Sequence, residues 1–207
     1  MNQEQLKQYI FDLQSRRKQC RKCPLWGKTT VVAELLYKKG NCDVLFLGIN
    51  PGKVEAQKGR PFCGPSGKIL RETIHEVGLD ECNIAFSNAI LCSTNNEKEI
   101  PDVSWCIQKC DFLVKRIIKH IKPKVFVPVG KSCAEYIFDI RGSIGANAGK
   151  QFPCPDFDLK GFLTEGRLVI PISHPASLLY SPSEQGKQAF KQSLVAIRKA
   201  LSKMDVG

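Results

Sequence analysis

The sequence predicts a three-layer α/β/α fold built on a central four-stranded parallel sheet. Four short apolar runs are spaced along the chain, stretches of helical periodicity stand between them, and turns rich in Gly, Asn, Ser and Pro follow the runs. At 207 residues with 43% hydrophobic content the chain can bury one sizeable core, so a single domain over residues 1–207 is expected.

Residues 3–18 place Leu6, Ile10 and Leu13 at helical spacing, ending near a turn at Cys20–Cys23. Asp43–Gly48 is a compact apolar run that stops at Asn50-Pro51-Gly52, as a buried strand would. From Ser66, read as an N-cap, to Val77, the positions Ile69, Leu70, Ile74 and Val77 share one helical face. Asn83–Ile90 is the second strand, and Asp102–Ile121 a helix introduced by Pro101 and an Asp cap. Lys124–Val129 is the third strand and Ser132–Phe138 a helix. Residues 141–166 lack a period and read as a long loop with room for an irregular strand. Leu168–Ile172 is the fourth strand, running into Ser173-His174-Pro175, and a helix from about Ser183 to Lys203 closes the fold. In such a sheet the ligand site lies beyond the carboxyl ends of the strands.

Charge narrows the partner. Thirty-one Lys+Arg against 20 Asp+Glu leave a formal charge of +11, which favours polyanions and nucleic acid first. The basic residues are spread along the whole chain, so they locate no face. No run approaches the roughly 18 apolar residues of a membrane span, and the N-terminus lacks the apolar core of a secretory signal. The expectation is a cytoplasmic, monomeric protein without a membrane partner. Ten cysteines in that setting point to ligation rather than disulfides, with Cys42, Cys82 and Cys133 in contexts of packed thiols.

Three polar segments fall at strand ends: Gly48-Ile49-Asn50-Pro51-Gly52, Ser87-Asn88, and Ser173 through Leu179. Seven residues after the first comes Gly59-Arg60-Pro61-Phe62-Cys63-Gly64-Pro65-Ser66-Gly67. With this loop the chain resembles the uracil-DNA glycosylase superfamily, and in layout its iron–sulfur branch, the family-four enzymes. The resemblance runs from about Cys20 to Leu179 and includes Lys122-Pro123-Lys124 and the His174-Pro175-Ala176 motif.

The resemblance implies removal of uracil from DNA, leaving an abasic site. It places Phe62 against the flipped base, with Gly48 beside it, and Asn88 on the O4/N3 edge. It gives His174 the role of hydrogen-bond donor to O2 as negative charge develops there. Ser177 would grip phosphates, and Leu178 would wedge into the space the base leaves. Cys20, Cys23, Cys92 and Cys110 would hold a [4Fe–4S] cluster. Spacing does not separate iron–sulfur from zinc, and Cys106, one turn before Cys110, competes for the fourth position.

The first motif departs from family four. Ile49 stands where those enzymes carry an acidic residue, and Gly48-Ile49-Asn50-Pro51-Gly52 resembles instead the thymine/mismatch-specific and single-strand-selective families, in which the Asn orients water. Asn50 is therefore assigned to water positioning. An amide is no general base at neutral pH, but a sugar losing a uracil anion needs only a placed water. Slower turnover or an altered base range is expected. A broader glycosylase acting on thymine, hypoxanthine or xanthine, and a DNA-binding relative without cleavage, remain open alternatives. No lysine lies in a segment that marks it as a Schiff-base nucleophile, so a monofunctional enzyme is expected.

Overall fold

The computed structural model describes residues 3–17, 20–36, 41–154 and 167–204. The four anticipated strands form the middle of the sheet. They are β2 (Val44–Gly48), β3 (Ile84–Asn88), β4 (Val125–Pro128) and β6 (Leu168–Val169), adjacent in the order β3-β2-β4-β6 and parallel throughout. Two edge strands, the unforeseen β1 (Ala33–Leu36) and β5 (Phe152–Pro153), the latter within the loop given room for an irregular strand, pair antiparallel with β3 and β6. The sheet is therefore six-stranded and mixed, a correction to the four-stranded parallel expectation. β1 is short and only partly buried, and β5 has two residues, so neither carries a sequence signal of its own.

Helices cover both faces. Along β2, Val44 and Phe46 join one core, with Leu70 and Ile74 of α3 (Pro65–Glu76) and Phe190, Leu194 and Ile197 of α8 (Glu184–Met204). Leu45 and Leu47 join the other, with Leu6 and Ile10 of α1 (Gln3–Arg17), Leu113 and Ile117 of α4 (Val103–Ile121) and Phe138 of α5 (Lys131–Phe138). The alternation follows from the period of two in a strand whose neighbours lie on both sides. Burying one such Leu or Phe is worth roughly 1.5–3 kcal/mol.

Helix starts are partly as anticipated. Asp102 caps α4, its carboxylate accepting from the Trp105 N–H at 2.8 Å. For α3 the cap is Gly64 and Pro65 occupies the first turn, not the Ser66 cap expected; the fixed φ of proline starts the helix two residues earlier. Three one-turn helices went unread: α2 (Lys53–Lys58), α6 (Ile144–Asn147) and α7 (Ser177–Tyr180). Of the anticipated loop 141–166, residues 155–166 lie outside the described residues, and its earlier part holds α6 and β5. Among the described residues no helix is long and apolar enough to cross a membrane.

The consequence for the site is register. Gly48 pairs with Asn88 across β2 and β3, and Val129 bridges Ile172. The turns after four parallel strands thus open at one edge of the sheet.

Candidate active site

A cavity of about 450 Å³ lies at that edge. Gly48, Asn50, Phe62, Asn88 and His174, drawn from four separate segments, all line it.

Gly48 sets its floor. A Cβ at this position would stand 2.5 Å from Asn88 Oδ1 and 2.9 Å from Phe62 Cζ, so only glycine lets the amide and the ring approach each other. Phe62 holds its ring there from a left-handed backbone (φ 49°), a conformation that costs a non-glycine residue about 1–3 kcal/mol unless its surroundings impose it. They do. Arg71 Nε donates to the Phe62 carbonyl at 2.8 Å and Arg71 Nη2 to the Pro61 carbonyl at 2.9 Å, while Glu34 pairs with both Arg71 and Arg60. Glu55 accepts from the Cys63 and Gly64 N–H groups at 3.0 and 2.7 Å, and Gly67 leaves room for the Phe62 carbonyl.

Asn88 is 3% exposed and faces the cavity, and no hydrogen bond among the described residues uses its amide. The amide therefore offers its donor and its acceptor to whatever occupies the cavity. Asn50 is fixed differently. Its Nδ2 donates to Thr94 Oγ1 at 2.7 Å and to the Pro51 carbonyl at 3.0 Å. Because the Thr94 hydroxyl gives its own proton to the Asn96 carbonyl (2.8 Å), it can only accept from Asn50, and the amide orientation follows. The Asn50 carbonyl oxygen is left to accept from a molecule in the cavity.

His174 has an assigned tautomer for the same kind of reason. The Ala176 N–H points at Nδ1 from 3.2 Å and can only donate, so Nδ1 accepts and the ring proton sits on Nε2. Burial lowers the pKa below the usual histidine value, outweighing the upward pull of Glu97 and Glu55, and the ring is neutral at pH 7. The ring surface is nonetheless open to the cavity: protein surrounds the site, but the histidine itself is not covered. The other histidines are remote from this site: His75 pairs with Asp80, and His120 bonds the Arg116 carbonyl.

Ser177 and Leu178 lie on a neighbouring cavity of about 610 Å³ rather than on this one. The Ser177 hydroxyl donates to the His174 carbonyl at 2.8 Å, bracing the histidine turn, and Leu178 is half-buried against the α8 core. Tyr180, 85% exposed, stands at the rim instead. Glu55, Thr94 and Tyr180 line the cavity and were not anticipated; Thr94 acts on Asn50, 44 positions away, and Glu55 on backbone N–H groups of the following loop, which no local pattern reveals.

The ten cysteines differ in burial. Cys42 and Cys133 are fully buried, with thiols pushed up by burial, while Cys82 is half-buried. Cys23, Cys92, Cys106 and Cys110 share the α4 core, and Cys20 lies half-buried on the adjoining loop. Cys106 hydrogen-bonds Cys23, and its thiol is pushed up to about 12, first by burial and then by Cys23, with Cys110 adding to it. Among the described residues no three His, Cys, Asp or Glu side chains are gathered closely enough to hold a metal ion. Sulfur is a donor type that suits a metal, and three segments bring cysteines to the same apolar core, but among the described residues the side chains do not converge on one point.

The uracil DNA glycosylase superfamily model matches residues 36–198. Type-4 uracil-DNA glycosylases are similar along most of their length. The one from Sulfurisphaera tokodaii is 32% identical over 170 residues, 79% of this chain and 73% of its own. That from Archaeoglobus fulgidus is 32% identical over 182 residues, 84% of this chain and 85% of its own. The Thermotoga maritima enzyme is 30% identical, covering 85% and 86%. With the family model covering most of the chain and these relatives at about 30% identity over most of their length, the chain belongs to the uracil DNA glycosylase superfamily.

Proposed function

We propose that the chain is a monofunctional uracil-DNA glycosylase that hydrolyses the N-glycosidic bond and leaves an abasic site. The observation that carries this reading is the convergence of the Asn88 amide, the Phe62 ring and a neutral His174 on one cavity at the strand ends.

A flipped uracil enters beside Phe62, which offers an aromatic face, while Gly48 leaves room for the ring. Asn88 offers a donor to O4 and an acceptor to N3–H. As the bond between C1′ and N1 breaks, its electron pair passes to the uracil ring. His174 Nε2–H donates to O2, where the charge gathers; a preorganised donor of this kind is worth about 10²–10³ in rate. Asn50 holds a water through its carbonyl oxygen, Thr94 holding Asn50. The water oxygen bonds to C1′, and its proton leaves to solvent or to the departing anion. Glu55 and Glu97 place carboxylate charge on the cavity wall, which supports the cationic sugar although position 49 is Ile.

Lys131 lines the cavity and is paired with Glu135 at 3.5 Å. It is given no covalent role, and borohydride trapping of a DNA complex would contradict that. Cys20, Cys23, Cys92 and Cys110 are the ligands proposed for a [4Fe–4S] cluster, with Cys106 their competitor. Such a cluster would serve as a structural cross-link and no step of cleavage passes through it. Ser177 and the backbone beside it contact flanking phosphate, with Leu178 as the wedge.

Asn50 favours a second, broader range of thymine or deaminated purines. Both readings are tested by a cleavage panel of uracil, thymine, hypoxanthine and xanthine oligonucleotides, with Asn50→Ala and His174→Ala beside wild type. Abasic-site formation from uracil that both substitutions reduce is expected; unchanged activity in both removes this assignment.

A further inference from the structure

The cavity leaves unexplained a second surface, formed by the loop that carries Cys20 and Cys23 and by the solvent face of α4. Three large aromatic rings lie exposed there: Trp26 at 60%, Trp105 at 37% and Phe112 at 49%. Each has a cation over its face. Arg21 lies 5.5 Å from the Trp26 ring centre, Lys22 lies 4.2 Å from Phe112, and Lys109 lies 5.8 Å from Trp105. The Lys22 contact joins the loop to the helix, so these groups make one patch.

Trp105, Lys109 and Phe112 follow helical spacing, and the exposed residues Arg116 and Lys119 continue the same stripe. The acids of α4 and its cap are engaged: Asp102 in capping, Asp111 with Lys115 at 2.6 Å. Exposed aromatic area of this extent is uncommon on a soluble surface without a partner. Cations interleaved with rings match one partner chemistry, a backbone of phosphates carrying planar bases. In a duplex the bases are stacked inside and rings could meet only the backbone, so the aromatic component specifies an unpaired strand.

We propose that this surface binds single-stranded DNA outside the base cavity. The stripe from Trp105 to Lys119 spans about 21 Å at 1.5 Å per residue, long enough for several nucleotides of an extended single strand. Its Trp105 end follows in sequence on the 94–97 segment that walls the cavity. The choice of DNA rests on the glycosylase reading above; the surface itself does not use the cavity.

Trp26 and Trp105 are the only tryptophans in the chain, so intrinsic fluorescence reports on this patch alone. Full-length protein is titrated with a uracil-free oligothymidylate, and with heparin as a polyanion that lacks bases. Oligothymidylate is expected to quench the emission and heparin to leave it nearly unchanged. By anisotropy of a labelled strand, the Trp26→Ala/Trp105→Ala double variant binds at least about tenfold more weakly. Lys109→Glu/Lys119→Glu lowers the slope of log affinity against log salt by about 1.4. Equal emission changes with heparin, or unaltered affinity in both double variants, overturn the proposal in favour of a general acidic-partner surface. Excision is read in parallel on an oligothymidylate of the same length that carries one uracil. Excision without quenching removes this surface alone; quenching without excision leaves it standing and removes the glycosylase reading.

Discussion

The base cavity and the cysteine region meet in one short segment and are built on opposite plans. Around the cavity the side chains that would touch a base are set before any base arrives: His174 by the Ala176 N–H, Asn50 by Thr94, and Phe62 by Arg71. Around Cys23, Cys92, Cys106 and Cys110 the sulfurs share a core, but among the described residues no three ligand side chains converge. The backbone fixes a polar pocket because strand ends and turns place its atoms. A thiolate site is completed by its metal, since neighbouring thiolates repel until a cation joins them.

The sharpest way to break this contrast is His174→Ala, for which a fall in kcat of about 10²–10³ is expected with the melting temperature unchanged. A large loss of stability would mean that the turn, rather than the donor, is what the residue supplies. Gly48→Ala comes next. Its methyl would press on Asn88 and Phe62, overpacking worth about 1–3 kcal/mol, read as roughly a ten- to hundredfold fall in kcat/KM. For Thr94→Val about a fivefold fall is expected, the value of roughly one hydrogen bond of about 1 kcal/mol that orients Asn50. Asn50→Ala should mask it, so the double variant is no slower than Asn50→Ala alone.

On the cysteine side the chemistry should move little and the stability more. Cys110→Ser is expected to lose the visible absorbance of an iron–sulfur cluster and to melt earlier, while Cys106→Ser keeps both; the reverse pattern makes Cys106 the ligand. The smallest effect is with pH. The folded pKa of His174 lies below its unfolded value of about 6.5, because the folded state disfavours the charged ring. Its contribution to stability is present above that value and is lost as pH falls toward the lowered one. Excision should stay level from pH 8 to about 6.5 and decline below. Protonation would set Nδ1–H against the Ala176 N–H and turn the ring from its place.

What could be read from the sequence was what local pattern encodes. Val44–Gly48 and Ile84–Asn88 are uniformly buried runs; Asn50 follows the first, Asn88 ends the second, and His174 follows the run that begins at Leu168. The edge strand Ala33–Leu36 was not legible, because its pairing with Ile84–Ser87 defines it, and the one-turn helix Lys53–Lys58 is too short to show a period. Thr94 and Glu55 could not be found locally: one acts on a residue 44 positions away, the other on backbone N–H groups of the following loop. Arg71 sits among the polar positions of an ordinary amphipathic helix, and only its bonds to the Pro61 and Phe62 carbonyls set it apart.

The left-handed backbone at Phe62 changes when recognition is carried out. A flexible phenylalanine would have to surrender its freedom each time a base arrived, and that loss would weaken every encounter. Here Arg71, Glu34 and Gly67 hold the ring from the moment the chain folds. The entropy is surrendered once per protein molecule, and each base tested along a strand meets a wall already in position.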